Sequence, residues 1–140
     1  MTFAWKDEYK LGIADIDAQH QHYFELASKL DDLLEKGTDK PKDEVVDMLG
    51  QLQNYAFYHF ATEEAYFEKY DYAEAKAHRQ MHEAYRVKMK EYVEQTYKPD
   101  VNYMKLAREV DDFAVRWLAG HILVADRLYV ETFKTHRKKK

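Results

Sequence analysis

Histidine recurs at His20, His59, His78, His82 and His121, and acidic residues follow two of these, Glu63 four positions after His59 and Asp126 five after His121. Imidazole nitrogen and carboxylate oxygen are donors for divalent and trivalent cations. Residues i and i+4 differ by about 40° around a helix, so His59 with Glu63, and His78 with His82, project together as two chelating arms. One histidine on an apolar face is ordinarily a hydrogen-bonded core residue, and one HxxxH pair alone could be accidental or part of a zinc site. The set as a whole resists that reading. Burying five imidazoles and two carboxylates in one small core is costly for every uncompensated charge, and a pair of cations is the most direct compensation.

Ligand arithmetic sharpens the expectation. The chain has no cysteine, so disulfides, thiolate zinc sites and cysteine-held clusters are excluded and any metal takes nitrogen and oxygen donors. Five imidazoles and two carboxylates exceed what one tetrahedral zinc needs, but suit two metals that share both carboxylates and a solvent-derived oxygen. A metal with three histidines is then six-coordinate, and one with two is five-coordinate with a position open. His121 and Asp126 do not fit simply, because five residues span about 140° of an ideal helix. A π-bulge near residues 120–126, or two metals spread widely enough to receive diverging side chains, would reconcile them. Otherwise Asp126 is a solvated surface acid.

These side chains need long elements to hold them. Only four glycines and two prolines interrupt 140 residues, which predicts an all-α fold. Apolar residues at three- and four-residue steps predict four helices. The first, about residues 17–35, carries His20, Tyr23, Phe24, Ala27, Leu30 and Leu34 inward; Asp15 or Asp17 caps its start and Gly37 ends it. Thr38, Asp39 and Pro41 open the second, about 41–69, with a seam of Val45, Met48, Leu52, Tyr55, His59, Glu63 and Tyr66 or Phe67. The third, about 73–96, aligns Ala75, His78, His82, Tyr85, Met89 and Tyr92. The fourth, about 101–135, has Leu106, Val110, Phe113, Trp117, His121 and Leu128 as its inner row, and Gly120 inside it implies a backbone distortion or close packing. Short links predict an antiparallel up-down-up-down four-helix bundle, with residues 1–16 as an irregular N-terminal arm and 136–140 as a basic tail of one domain.

The motifs resemble the hemerythrin family, its bacterial branch in particular, over nearly the whole chain. Trp5, Gly12, Ile13, Ile16, Asp17, Gln19 and His20 resemble that family's arm and first ligand. His59, Phe60 and Glu63 resemble its HFxxE segment, His78 and His82 its HxxxH, and Trp117, Leu118, His121, Ile122 and Asp126 its WLxxHIxxxD segment. The resemblance implies two iron ions with a bridging oxo or hydroxo group: His78, His82 and His121 on one, His20 and His59 on the other, and Glu63 and Asp126 bridging. It further implies reversible O2 binding at the five-coordinate iron, with Trp5, Phe60, Trp117, Leu118, Ile122 and Tyr129 as the apolar pocket and Leu118 as its gate. Small anions would bind the ferric site. His22, about 200° from His20, and His136 in the tail are not ligands.

A formal charge of −4 argues against a nucleic-acid binder, and no window approaches a membrane span or a signal peptide, so a cytoplasmic protein is expected. Oxygen storage, delivery or scavenging leads. Oxygen or redox sensing through a separate partner, and a di-iron oxidase, peroxidase or nitric oxide reductase, are the alternatives. Sensor relatives usually attach this module to a signalling domain, which the sequence lacks, and ferritin-like enzymes carry Glu-x-x-His pairs, which it also lacks.

Overall fold

The computed structural model describes residues 5–138, with side chains throughout except those of 122–124 and 134–138. A 3₁₀ turn, Asp7–Tyr9, precedes α1 (Ala14–Lys36), α2 (Pro41–Lys69), α3 (Ala75–Gln95) and α4 (Tyr103–Gly120). A π-helical segment, His121–Asp126, then joins α4 to α5 (Arg127–Lys138) in one continuous rod. The described residues are all helix and connection, packed as the helical bundle that the sequence predicts. Helix α1 lies against α2 and α4, α2 against α3, and α2 also meets α4. No helix among the described residues is long and apolar enough to cross a membrane.

The helix ends differ from expectation in instructive ways. Helix α1 begins three residues early with Ile13 at its N-cap and no side-chain cap. Neither Asp15 nor Asp17 caps it. The Asp17 carboxylate instead accepts the backbone N–H of Leu11 at 2.8 Å and of Gly12 at 3.1 Å, and Asp15 accepts the Tyr66 hydroxyl from α2 at 2.6 Å. Gly12, at φ 85°, makes the turn that aims both amides at one carboxylate. That contact ties the arm to α1. Gly37 closes the same helix as expected, its N–H donating to the Leu33 carbonyl at 2.8 Å. Helix α2 starts with Pro41 at its first turn, but Lys40 is the N-cap and makes no side-chain cap; Thr38 only accepts the Lys40 N–H.

The core is two apolar clusters. One gathers Tyr23, Phe24, Leu30, Leu52, Phe60, Tyr85, Met89, Val110 and Leu118; the other holds Ile13, Ile16, Phe67, Tyr72, Tyr129, Val130 and Phe133. Between them, the buried row of every long helix is polar for about one turn: His20, His59 with Glu63, His78 with His82, and His121.

The inner row of the last helix is where α-helical extrapolation fails. Leu128 is 64% exposed, while Tyr129, Val130 and Phe133 are buried. The π segment widens the turn by one residue, so every position beyond it moves one place in register. Gly120 keeps ordinary helical dihedrals and a Cβ there would meet nothing within 4 Å, so packing is not its purpose; the distortion begins at the next residue.

Register can be tested by stability. Leu128→Ala is expected to change the unfolding free energy by less than about 0.5 kcal/mol, and Phe133→Ala to cost about 3–5 kcal/mol in chemical denaturation. Equal costs would refute the π register. A second test concerns α1 against α4, where burial and the facing Asp31 carboxylate push Asp111 up to about 6. An acid with a raised folded pKa stabilises the fold below its unfolded value, and that contribution is lost as pH rises through about 6. Asp111→Asn is therefore expected to raise stability at pH 7.5 by about 1 kcal/mol after allowance for solvent screening, with the gain gone at pH 4.

Candidate metal centre

The polar layer brings seven predicted residues within reach of one another. His20 comes from α1, His59 and Glu63 from α2, His78 and His82 from α3, and His121 and Asp126 from the two ends of the π segment. An i→i+5 turn returns Asp126 to the side of the rod that carries His121. Their side chains sit 2.8 Å apart at His121 Nε2 and Asp126 Oδ1, and Asp126 is fully buried, which excludes the surface-acid reading.

The donor atoms form two groups that share a carboxylate. One contains Glu63, His78, His82 and His121, the other His20, His59, Glu63 and Asp126, and within each the donor atoms lie within 4.8 Å of one another. Glu63 Oε1 is 3.0 Å from His59 Nε2 and 3.3 Å from His82 Nε2. Asp126 divides its oxygens: Oδ2 is 3.0 Å from His20 Nε2, while Oδ1 is 3.0 Å from His78 Nε2 and 2.8 Å from His121 Nε2. Ligands in adjacent positions around a cation with bonds of about 2.1 Å are separated by about 3 Å, so these spacings match the edges of a coordination shell.

Hydrogen bonding alone does not satisfy this cluster. Both ring nitrogens of His20 and His82, Nε2 of His59, and all four carboxylate oxygens of Glu63 and Asp126 are buried without an aligned hydrogen-bond partner. His78 Nε2 and His121 Nε2 face each other at 2.9 Å, a repulsive pairing of lone pairs unless a proton or a cation lies between them. Burial pushes Glu63 and Asp126 up, but positive charge on the surrounding imidazoles, with bonds from His59 and His82, pulls Glu63 below the carboxylate range, and charge on His121 with bonds from His121, His20 and His78 pulls Asp126 well below it; a cation in the layer would supply that charge in place of the protons. Both therefore stay ionised. Burial lowers His82, keeping its ring neutral, whereas for His121 the Asp126 and Glu63 charges outweigh burial and raise it. The donor set fits cations better than protons.

Neighbouring side chains orient the donors. His59 Nδ1 meets Gln19 Oε1 at 2.7 Å, and the Gln19 amide donates to Thr62 Oγ1 at 3.1 Å. With Nδ1 as the donor to Gln19, the Nε2 lone pair is aimed into the centre. The Phe60 ring stacks on His82 with centroids 4.0 Å apart, and Trp117 stacks on His121 at 4.2 Å. Tyr129 packs on His78, and burial together with the Glu63 and Asp126 charges pushes its hydroxyl well above the ordinary range. Leu118 is buried in the cluster that holds Phe60, and Trp5 packs at the side of that cluster on Tyr9 and Phe24. The Ile122 and His136 side chains lie outside the described residues. His22 is exposed, 3.7 Å from Glu25.

Comparison with known proteins agrees with the geometry. The family model for the hemerythrin HHE cation binding domain matches residues 11–133. The chain belongs to the hemerythrin family. It is 35% identical to a bacteriohemerythrin of Clostridium acetobutylicum over 92% of this chain and 99% of that protein. Bacteriohemerythrins of Pseudomonas aeruginosa, at 30% over 93% and 80%, and of Stenotrophomonas maltophilia, at 28% over 94% and 82%, are also similar. Within this hemerythrin domain, the orienting role of Gln19 escaped the spacing argument, because its partner lies 40 residues away on another helix. Gln19→Leu is expected to weaken metal binding about 10- to 100-fold with the fold intact; unchanged affinity in a metal titration would remove Gln19 from the centre.

Proposed function

We propose that this hemerythrin domain holds two iron ions and binds O2 reversibly. The observation that carries the reading is the asymmetry around shared carboxylates: three imidazoles meet Glu63 on one side, and two meet Glu63 and Asp126 on the other. In this reading His78, His82 and His121 would hold one iron, His20 and His59 the other with a position left for O2, and Glu63 and Asp126 would serve both. A ferrous pair, when bound, supplies the two electrons that reversible O2 binding requires.

The remaining work belongs to side chains of this chain. Gln19 holds the His59 tautomer, and the Phe60 and Trp117 rings fix His82 and His121 in plane. Phe60, Leu118 and Trp117 form an apolar wall against water and small anions, whose access would promote oxidation of the iron. The imidazole-rich donor set favours binding O2 over cleaving it. Storage, delivery or scavenging of O2 in the cytoplasm is the role that follows.

Anaerobic loading with ferrous iron is expected to give about two equivalents per chain by this donor count and a coloured adduct that forms in O2 and disappears under vacuum. His59→Ala is expected to reduce the iron content and Glu63→Ala to reduce it further, since Glu63 serves both groups. Leu118→Ala is expected to speed oxidation and azide binding to the ferric protein several-fold in stopped-flow absorbance. Irreversible oxidation with sustained peroxide or nitric oxide turnover would contradict the carrier reading.

A further inference from the structure

The two faces of His82 are treated differently. Its Nε2 faces Glu63 at 3.3 Å, within the centre, whereas its Nδ1 is buried with no hydrogen-bond partner. Facing Nδ1 at 3.7 Å is Glu64 Oε2, from the residue directly after Glu63 on α2. That oxygen is already engaged. Arg86, one turn beyond His82 on α3, donates to it from Nη2 at 2.7 Å. The Arg86 guanidinium is itself seated over the Phe60 and Phe57 rings, at 5.4 and 5.9 Å from their centroids, and lies 3.6 Å from Glu83. His59, by contrast, has its Nδ1 partner, Gln19, at a full 2.7 Å.

We propose that Glu64 is the outer acceptor of His82 and that Arg86, by holding the same carboxylate just short of the ring, limits how much negative charge reaches the iron through that imidazole. Both are positioning residues, and the inference rests on the iron reading above. A carboxylate that accepts from Nδ1 makes a ligating imidazole a stronger donor and favours the higher oxidation state of its metal. A carboxylate shared with a guanidinium does so less, because the charge-assisted bond to arginine is the stronger competitor. Glu64 and Arg86 sit at the rim, with side chains 20% and 26% exposed, so the pair can move without repacking the core. Its setting keeps the ferrous state accessible while a carboxylate stays close to His82 Nδ1.

Three variants separate this from a general charge effect: Arg86→Met, which keeps apolar cover over Phe57 and Phe60, Glu64→Gln, and the two together. In the iron-loaded chain, Arg86→Met is expected to let Glu64 close on Nδ1 and raise the ferric-to-ferrous ratio at fixed potential about tenfold, a downward shift of about 59 mV for a one-electron couple. Glu64→Gln is expected to shift it upward, and the double variant to match Glu64→Gln, because Arg86 acts only through that carboxylate. The zinc-loaded chain reads the hydrogen bond without redox chemistry: the His82 Nδ1–H proton resonance is expected to move downfield in Arg86→Met and upfield in Glu64→Gln. This arm stands even in a protein that failed to bind O2. Equal shifts from Arg86→Met with Glu64 or Gln at position 64 would show a direct field effect and overturn the proposal, as would an unmoved Nδ1–H resonance in Glu64→Gln.

Discussion

Two ionised carboxylates share one buried layer with five imidazoles, and the rest of the fold is arranged around that layer. Glu63 and Asp126 are fully buried, and their charges repel each other in a medium that screens poorly. An ordinary core of this size would not tolerate them. The layer becomes tolerable only if every helix delivers a donor at the same height and the space between the donors can take cations. Four rows of apolar side chains therefore break at one level, which leaves the core as two clusters with a polar slab between.

The same constraint explains the π segment between α4 and α5. A straight α-helix would carry Asp126 well round the rod from His121, leaving the slab a carboxylate short. Six residues of π-helix correct this locally and move the register of all that follows. A widened turn gives up favourable packing. Here it recovers an anionic donor whose two oxygens face different histidine groups.

Most of the centre was legible because helices translate sequence spacing into direction. The i and i+4 pairs on α2 and α3 and the single histidine of α1 each fall on an apolar face, and no tertiary information is needed to see it. Leu128 leaves the expected inner row because the π segment before it does not keep the α-helical period. Asp15 and Asp17 do not act as the caps that local rules expect, because their partners, Tyr66 and the Leu11 and Gly12 amides, depend on how the arm and α2 close over α1. Gln19 and Glu64 could not be recognised as supports for His59 and His82, because each acts across a helix interface. In sequence, Glu64 and Arg86 look like any solvated charges.

The proposed pair of cations would occupy the slab with Glu63 and Asp126 between them. Anomalous diffraction at the iron edge, from crystals of the anaerobically loaded protein, tests it most directly. Two peaks are predicted, one bounded by His78, His82 and His121 and the other by His20 and His59, with a carboxylate oxygen of each acid on both. A single peak, or a pair from which Asp126 stands apart, would rule this arrangement out.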